Sequence, residues 1–166
     1  MQLILPMIST SKLLEEVRDG WSAIPAPPAE DMEYMDYGWG EEAARAFIGV
    51  EPVDVDISSV GFYAATPLLD IPPRAAAAYL GTFLLSLLKG IELQESIGLF
   101  TDILSRAHTL TCLESPSFWQ KVIRPHLPPN CQKVLIRVVN FLIAKAKALA
   151  LTEDQKNIML TLTSER

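Results

Sequence analysis

Apolar positions along this chain fall into blocks with helical spacing, and the densest block is "RAAAAYLGTFLLSLLKG" at 74–90. Within it Tyr79, Leu80, Phe83, Leu84, Leu87 and Leu88 surround the cylinder and leave a narrow polar strip, the pattern of a helix enclosed by others. Pro72 and Pro73 precede it, and proline suits a first helical turn, where its missing N–H has no partner to lose. The four alanines Ala75–Ala78 are strong helix formers, and Gly90 stands where a left-handed C′ residue closes a helix. Between Arg74 and Lys89 lie 14 residues, fewer than the roughly 20 needed to span a bilayer. The pattern predicts a central core helix over 74–89.

Amphipathic segments flank it on both sides. Residues 11–19 set Leu13, Leu14 and Val17 on one face, with Gly20 as a stop. Residues 41–48 form a short helix with two acids near its positive end and Gly49 as its stop. Helical spacing returns over 92–107 through Ile97, Phe100, Ile103 and Leu104. Ser115-Pro116 opens a helix carrying Phe118, Trp119, Val122 and Ile123, and Pro128-Pro129 opens a long one over 130–150. Thr152 with Gln155 three residues on has the form of a capping box for a last helix.

Two stretches break this rhythm. In "PVDVDIS", Val53, Val55 and Ile57 alternate with polar residues at a strand period, which predicts an extended connection or a short hairpin with the "QLIL" start. Residues 22–40 are irregular by their prolines and glycines, and such long loops tend to carry function or disorder. The prediction is an all-α fold. It is one domain over residues 1–166, a compact bundle of about six or seven helices around 74–89 with an irregular acidic N-terminal loop.

Charge adds an asymmetry. Net charge is −6, which disfavours nucleic acid as a partner. Residues 1–73 carry 13 acids against 3 bases, a balance of −10, and residues 74–166 carry 7 against 11, a balance of +4. The start lacks the basic and apolar regions of a signal peptide, and two cysteines make no disulfide framework, so a cytoplasmic location is expected. No membrane association is expected either.

Motifs that carry chemistry are few. No glycine-rich phosphate loop and no GxSxG elbow is present. His108, Cys112, His126 and Cys131 are four zinc-ligand types with three, thirteen and four intervening residues. Their alternating order and the lack of any CxxC pair favour ordinary buried cysteines, so no metal and no cofactor are predicted. The acid pairs Glu15/Glu16, Glu30/Asp31, Glu41/Glu42 and Asp54/Asp56 are close in sequence and read as solvated surface. No catalytic residue is assigned. An enzyme site, if there is one, would draw on Glu41, Arg45, Arg106 and His108.

The stretch 30–42, "EDMEYMDYGWGEE", differs in kind, with six acids and no base, interleaved with Met32, Tyr34, Met35, Tyr37 and Trp39. Aromatic anchors with a charged rim are favoured at protein interfaces, and acids speed the approach of a basic partner. The predicted partner-binding residues are Glu30, Asp31, Glu33, Tyr34, Asp36, Tyr37, Trp39, Glu41 and Glu42.

"LLDIPPRAAAAYLGTFLLSLL" at 68–88 resembles a family of uncharacterised small bacterial helical proteins through Pro73, Tyr79, Leu80, Phe83, Leu84 and Leu85. "LPPNCQKVLIRVVNFLIAKA" at 127–146 is similar to that family's Pro-led closing helix with its Phe-Leu pair, here Phe141-Leu142, and "EEAARAF" sits where the family has a short acidic helix. Arg74 departs from the family's acid after the opening proline, and Ala75–Ala78 replace bulkier aromatics. The resemblance implies a helical fold and transfers no activity. The expected function is a non-catalytic protein-binding module, in its concrete form an immunity protein that neutralises a basic toxin. The alternatives are an enzyme with a site between helices and a self-assembling subunit. The latter would be a homo-oligomer joined through the basic edge Lys133, Arg137, Lys145 and Lys147.

Overall fold

The chain enters its first helix, α1 (Thr10–Ser22), at Ser9, whose side-chain oxygen accepts the Lys12 amide at 3.2 Å. The computed structural model describes residues 8–32, 47–57, 67–97 and 103–164, and over these it is an all-α bundle with no strand. Gly20 does not stop α1. A β carbon there would meet Cys131 and Val134 at an ordinary 3.8 Å, and the helix runs on to bury Trp21.

A one-turn α2 (Pro67–Asp70) leads through Ile71 and Pro72 into α3 (Pro73–Ile97), the axis of the bundle. Ala75, Ala76, Leu80, Phe83, Leu84 and Leu88 are fully enclosed, as the all-round apolar pattern predicted. Gly90 is not its end: the buried Ile91 extends the apolar period past it, and the helix continues to Ile97. At 25 residues α3 is about 37 Å long at ~1.5 Å per residue. By length and composition its stretch Pro73–Ser96 is one helix able to cross a membrane. Length therefore does not separate it from a membrane span. What distinguishes it is that 72% of the apolar window is covered by the rest of the chain.

The contact with α1 fixes how that axis is covered. Trp21 lies against Gly81, and its indole Nε1 donates to the Ala77 carbonyl at 3.2 Å. A glycine in a helix interior costs about 1 kcal/mol relative to alanine. Here the missing side chain is the space that the indole ring occupies.

The predicted 92–107 helix is divided differently. Its first turns belong to α3, and α4 (Ile103–Leu113) begins after residues that lie outside the description. Ser115 then caps α5 (residues 116–126), accepting the Phe118 amide at 3.2 Å. Within α5 the turn Trp119–Ile123 is a π-helix, closed by the Arg124 amide on the Trp119 carbonyl. Pro125 supplies no amide for the next rung and its ring crowds the carbonyl four residues back, and a widened turn absorbs such a conflict.

Helix α6 (Pro129–Ala144) stops short of the predicted residue 150. Lys145 turns out of the register to meet Glu95 at 2.9 Å, and 145–150 form a terminating turn. Ala150 takes the left-handed conformation (φ 55°) there, and the Leu151 amide reaches back to the Ala146 carbonyl at 2.9 Å, as at a Schellman end. The capping box predicted for α7 (Glu153–Ser164) is present: the Thr152 amide donates to Gln155 Oε1 at 2.9 Å and the Gln155 amide to Thr152 Oγ1 at 3.1 Å.

The alternating "PVDVDIS" segment is not a strand. Pro52–Asp54 form a 3₁₀ turn lying on α3, with Pro52 and Ile57 buried. Proline offers no ladder donor, and Thr82 Oγ1 donates to the Pro52 carbonyl at 2.5 Å in place of a neighbouring strand. The "QLIL" residues of the suggested hairpin lie outside the described residues.

Candidate functional site

After α1 the chain turns through "AIPAPP" (23–28), and this turn forms one wall of an apolar groove of about 430 Å³. The floor is Ala77 and Ala78 of α3, and the far wall is His126 and Pro128. The small side chains of Ala77 and Ala78 leave this recess open on α3. Its proline walls have fixed φ and lack amide donors, so the recess is stiff and offers little to hydrogen-bond.

Arg74, one of the groove's lining residues, holds an ion pair. Arg74 Nη2 lies 2.8 Å from Asp31 Oδ2, and Nε donates to the same oxygen at 3.3 Å. The hydrogen bond to Asp31, with its charge, holds the Arg74 pKa above its ordinary value. Asp31 is thereby covered, its side chain 14% exposed, whereas Arg74 is largely in solvent.

Of the predicted partner-binding residues, Glu30 is exposed, two residues after the groove's Pro28, and Asp31 is already engaged by Arg74. Glu33, Tyr34, Asp36, Tyr37, Trp39, Glu41 and Glu42 lie outside the described residues, as does the predicted helix 41–48 up to residue 46. Met32 is only 1% exposed and packs in the core, so it is not an interface methionine. Phe47, on the other side of the acidic stretch, is fully buried. Its carbonyl accepts the Tyr79 hydroxyl at 2.7 Å, its ring meets Tyr79 edge-on at 5.1 Å, and Gly49 follows with φ 75°, ending the helical turn as predicted. Met32 within the acidic, aromatic stretch and Phe47 beyond it are thus core residues.

His108, Cys112, Cys131 and Tyr79 are turned inward, and burial favours the neutral form of each. His108 is 8% exposed, stands edge-on to Phe83 at 5.2 Å, and accepts the Leu68 amide on Nε2 at 3.2 Å. An accepting Nε2 places the proton on Nδ1, which is buried without a hydrogen-bond partner. Burial lowers the His108 pKa to about 4. The Cys112 sulfur is 3.8 Å from His108 Nε2, and burial pushes its thiol up to about 12. Cys131 donates to the Gly20 carbonyl at 3.1 Å, 111 residues away, and burial raises its thiol to about 11. Burial and then Glu51 raise the Tyr79 phenol to about 12.

The four zinc-ligand types are not gathered. His108 and Cys112 are neighbours one turn apart, Cys131 is committed to α1, and His126 is exposed at the groove wall. No group of three or more metal-ligating side chains occurs among the described residues. Arg106, offered for an enzyme site with His108, donates to the Leu149 carbonyl, and Glu41 and Arg45 lie outside the described residues. The basic edge of α6 is partly engaged within the molecule, with Arg137 on Glu16 at 3.0 Å and Lys145 on Glu95.

The groove went unremarked in the sequence, although its signals were present in the Ala75–Ala78 run and in the prolines at 25, 27 and 28. A recess needs both to meet, and nothing local says that they do. No protein-family model, no curated protein and no solved structure matches this chain.

Proposed function

We propose that this chain is a non-catalytic protein-binding module for a partner with a basic surface, in its concrete form an immunity-type protein that neutralises a basic toxin in the cytoplasm. The observation that carries this reading is the position of the acidic, aromatic stretch. Met32 within it and Phe47 beyond it are buried in the core, and its first acids, Glu30 and Asp31, follow closely on the proline wall of an apolar groove, with Asp31 paired to the groove residue Arg74. The acids would steer a cationic partner into contact, and the groove would take an apolar side chain as an anchor.

The state of the nucleophiles agrees with binding rather than catalysis. A thiolate, not a thiol, attacks, and at neutral pH thiols raised to about 12 and 11 hold almost none. His108 is an internal acceptor for α2 rather than a base facing a recess.

The test is affinity capture from the native host, followed by titration calorimetry with the purified partner. The Tyr37→Ala/Trp39→Ala double variant should bind at least ~10-fold more weakly, as expected for removal of interface aromatics. Ala26→Trp, which fills the groove from its wall, should weaken the same complex, and affinity should fall as salt rises. A partner bound equally by all three proteins, or with no dependence on salt, would remove both the stretch and the groove from the account.

A further inference from the structure

We propose a second ligand site, in the cavity between α1, α3 and the segment 53–57, for free α-amino acids with an aliphatic side chain. The cavity has a volume of about 550 Å³, within the usual range of ~300–1,000 Å³ for small-molecule sites. It shares no lining residue with the proline groove, so the proposal stands apart from the partner-binding reading.

Helix α3 turns its polar strip to this cavity. Thr82, Ser86, Lys89 and Leu93 follow one another at helical intervals along one face. Thr82 is used internally, since its hydroxyl donates to the Pro52 carbonyl and holds that segment on the helix. Ser86 and Lys89 are not: among the described residues neither side chain has a hydrogen bond or an ion pair. The hydroxyls of Ser96, Thr111 and Thr161 each donate to the carbonyl four residues back, and that of Ser86 is left uncommitted. Helix α1 runs past the strip, with Ser11 on Glu92 at 2.9 Å towards one end and Trp21 on Gly81 towards the other. Arg18 lies between these crossings and adds a second cation to the lining. Its guanidinium also has no partner among the described residues, whereas Arg74, Arg137 and Lys145 are each ion-paired.

Acids line the same cavity, at Asp54, Asp56 and Glu92. Among the described residues no ion pair joins Arg18 or Lys89 to any of them. Opposite charges that share a cavity without closing on each other leave room for a ligand that carries both. A simple anion would meet three carboxylates and a simple cation would meet Arg18 and Lys89, but a zwitterion sets each of its charges against the contrary one. The ligand carboxylate matches the Arg18 fork, with Lys89 and the Ser86 hydroxyl as further donors, and its ammonium matches Asp54. The apolar lining includes Ile57, Leu85 and Leu93. Leu93 is 39% exposed, a large aliphatic side chain left facing solvent beside these charges, and an aliphatic side chain on the ligand would cover it.

The experiment is an NMR titration of the full-length, isotope-labelled chain with leucine. Isocaproate, isoamylamine and glycine, which lack the ammonium, the carboxylate and the side chain in turn, are titrated in parallel. Leucine should give saturable shifts centred on Arg18, Ser86 and Lys89, and each of the other three should bind at least ~10-fold more weakly. Arg18→Gln and Asp54→Asn, both at exposed positions, should keep the spectrum of the folded chain, and each should weaken leucine by ~10-fold or more. No saturation by ~10 mM leucine, shifts centred elsewhere, an analogue that binds as well as leucine, or unchanged affinity in either variant would each overturn the proposal.

Discussion

Replacing Gly81 with alanine adds one carbon at the crossing of α1 and α3. That carbon would stand 2.3 Å from Cδ1 and Cγ of Trp21 and 2.8 Å from Cδ2. Comfortable carbon–carbon contact begins near ~3.5 Å, so the indole has to retreat by about 1 Å. Trp21 is fully buried and its Nε1 donates to the Ala77 carbonyl at 3.2 Å, so a retreat of that size breaks the bond. Overpacking costs ~1–3 kcal/mol and a buried donor left unpaired another ~1–3, against a helix-propensity gain of ~1. The expected net loss is about 3 kcal/mol, enough to lower a urea midpoint by ~1–2 M at ordinary slopes. Urea unfolding followed by circular dichroism and tryptophan fluorescence measures it. In a Trp21→Leu background the same change should cost far less, a coupling of ~1–3 kcal/mol between the two positions. A Gly81→Ala protein as stable as the parent would refute the close crossing of α1 over α3.

Gly20→Ala is the matching control: its new carbon meets only ordinary contacts at 3.8 Å, so the protein should gain ~0.5–1 kcal/mol by the same urea assay. His108 makes stability depend on pH. With a folded pKa of about 4 against ~6.5 unfolded, the unfolded chain binds the extra proton between these values, so stability is full above pH ~6.5 and lost as pH falls towards 4. The loss is at most ~3 kcal/mol, and it should vanish from the pH profile of His108→Gln. An NMR titration of the imidazole with its midpoint near the unfolded value would contradict this. Cys112 and Cys131 should resist a thiol reagent at pH 8 until the protein is unfolded, because both are buried and protonated.

The elements legible in the sequence were those set by local chemistry. Ser115-Pro116, the Pro129 start and the Thr152/Gln155 box are each decided within four residues, and each is found where its residues stand. The central helix was visible because its apolar residues occupy every side. Features decided by distant partners were not legible. Gly20 and Gly90 look like stops, but Trp21 and Ile91, just beyond them, find buried positions that carry each helix onward. The alternation of Val53, Val55 and Ile57 suggests a strand, yet Pro52 and the hydroxyl of Thr82 settle the segment as a turn on α3. Lys145 sits in helical register and leaves it for Glu95, 50 residues away. At the candidate site, the acids at 30–31 were singled out by composition, while the engagement of Asp31 by Arg74 and the proline groove appear only when α3 passes beside residues 23–31.

Amide hydrogen exchange across α3, measured in water and again with lipid vesicles, tests most directly that this helix is a protein-covered axis rather than a lipid-seeking one. Amides of residues 75–91 should exchange only through global unfolding, with the slowest rates in the chain, and vesicles should leave those rates unchanged. Fast exchange along that face in water, or co-sedimentation of the chain with vesicles, would contradict the account.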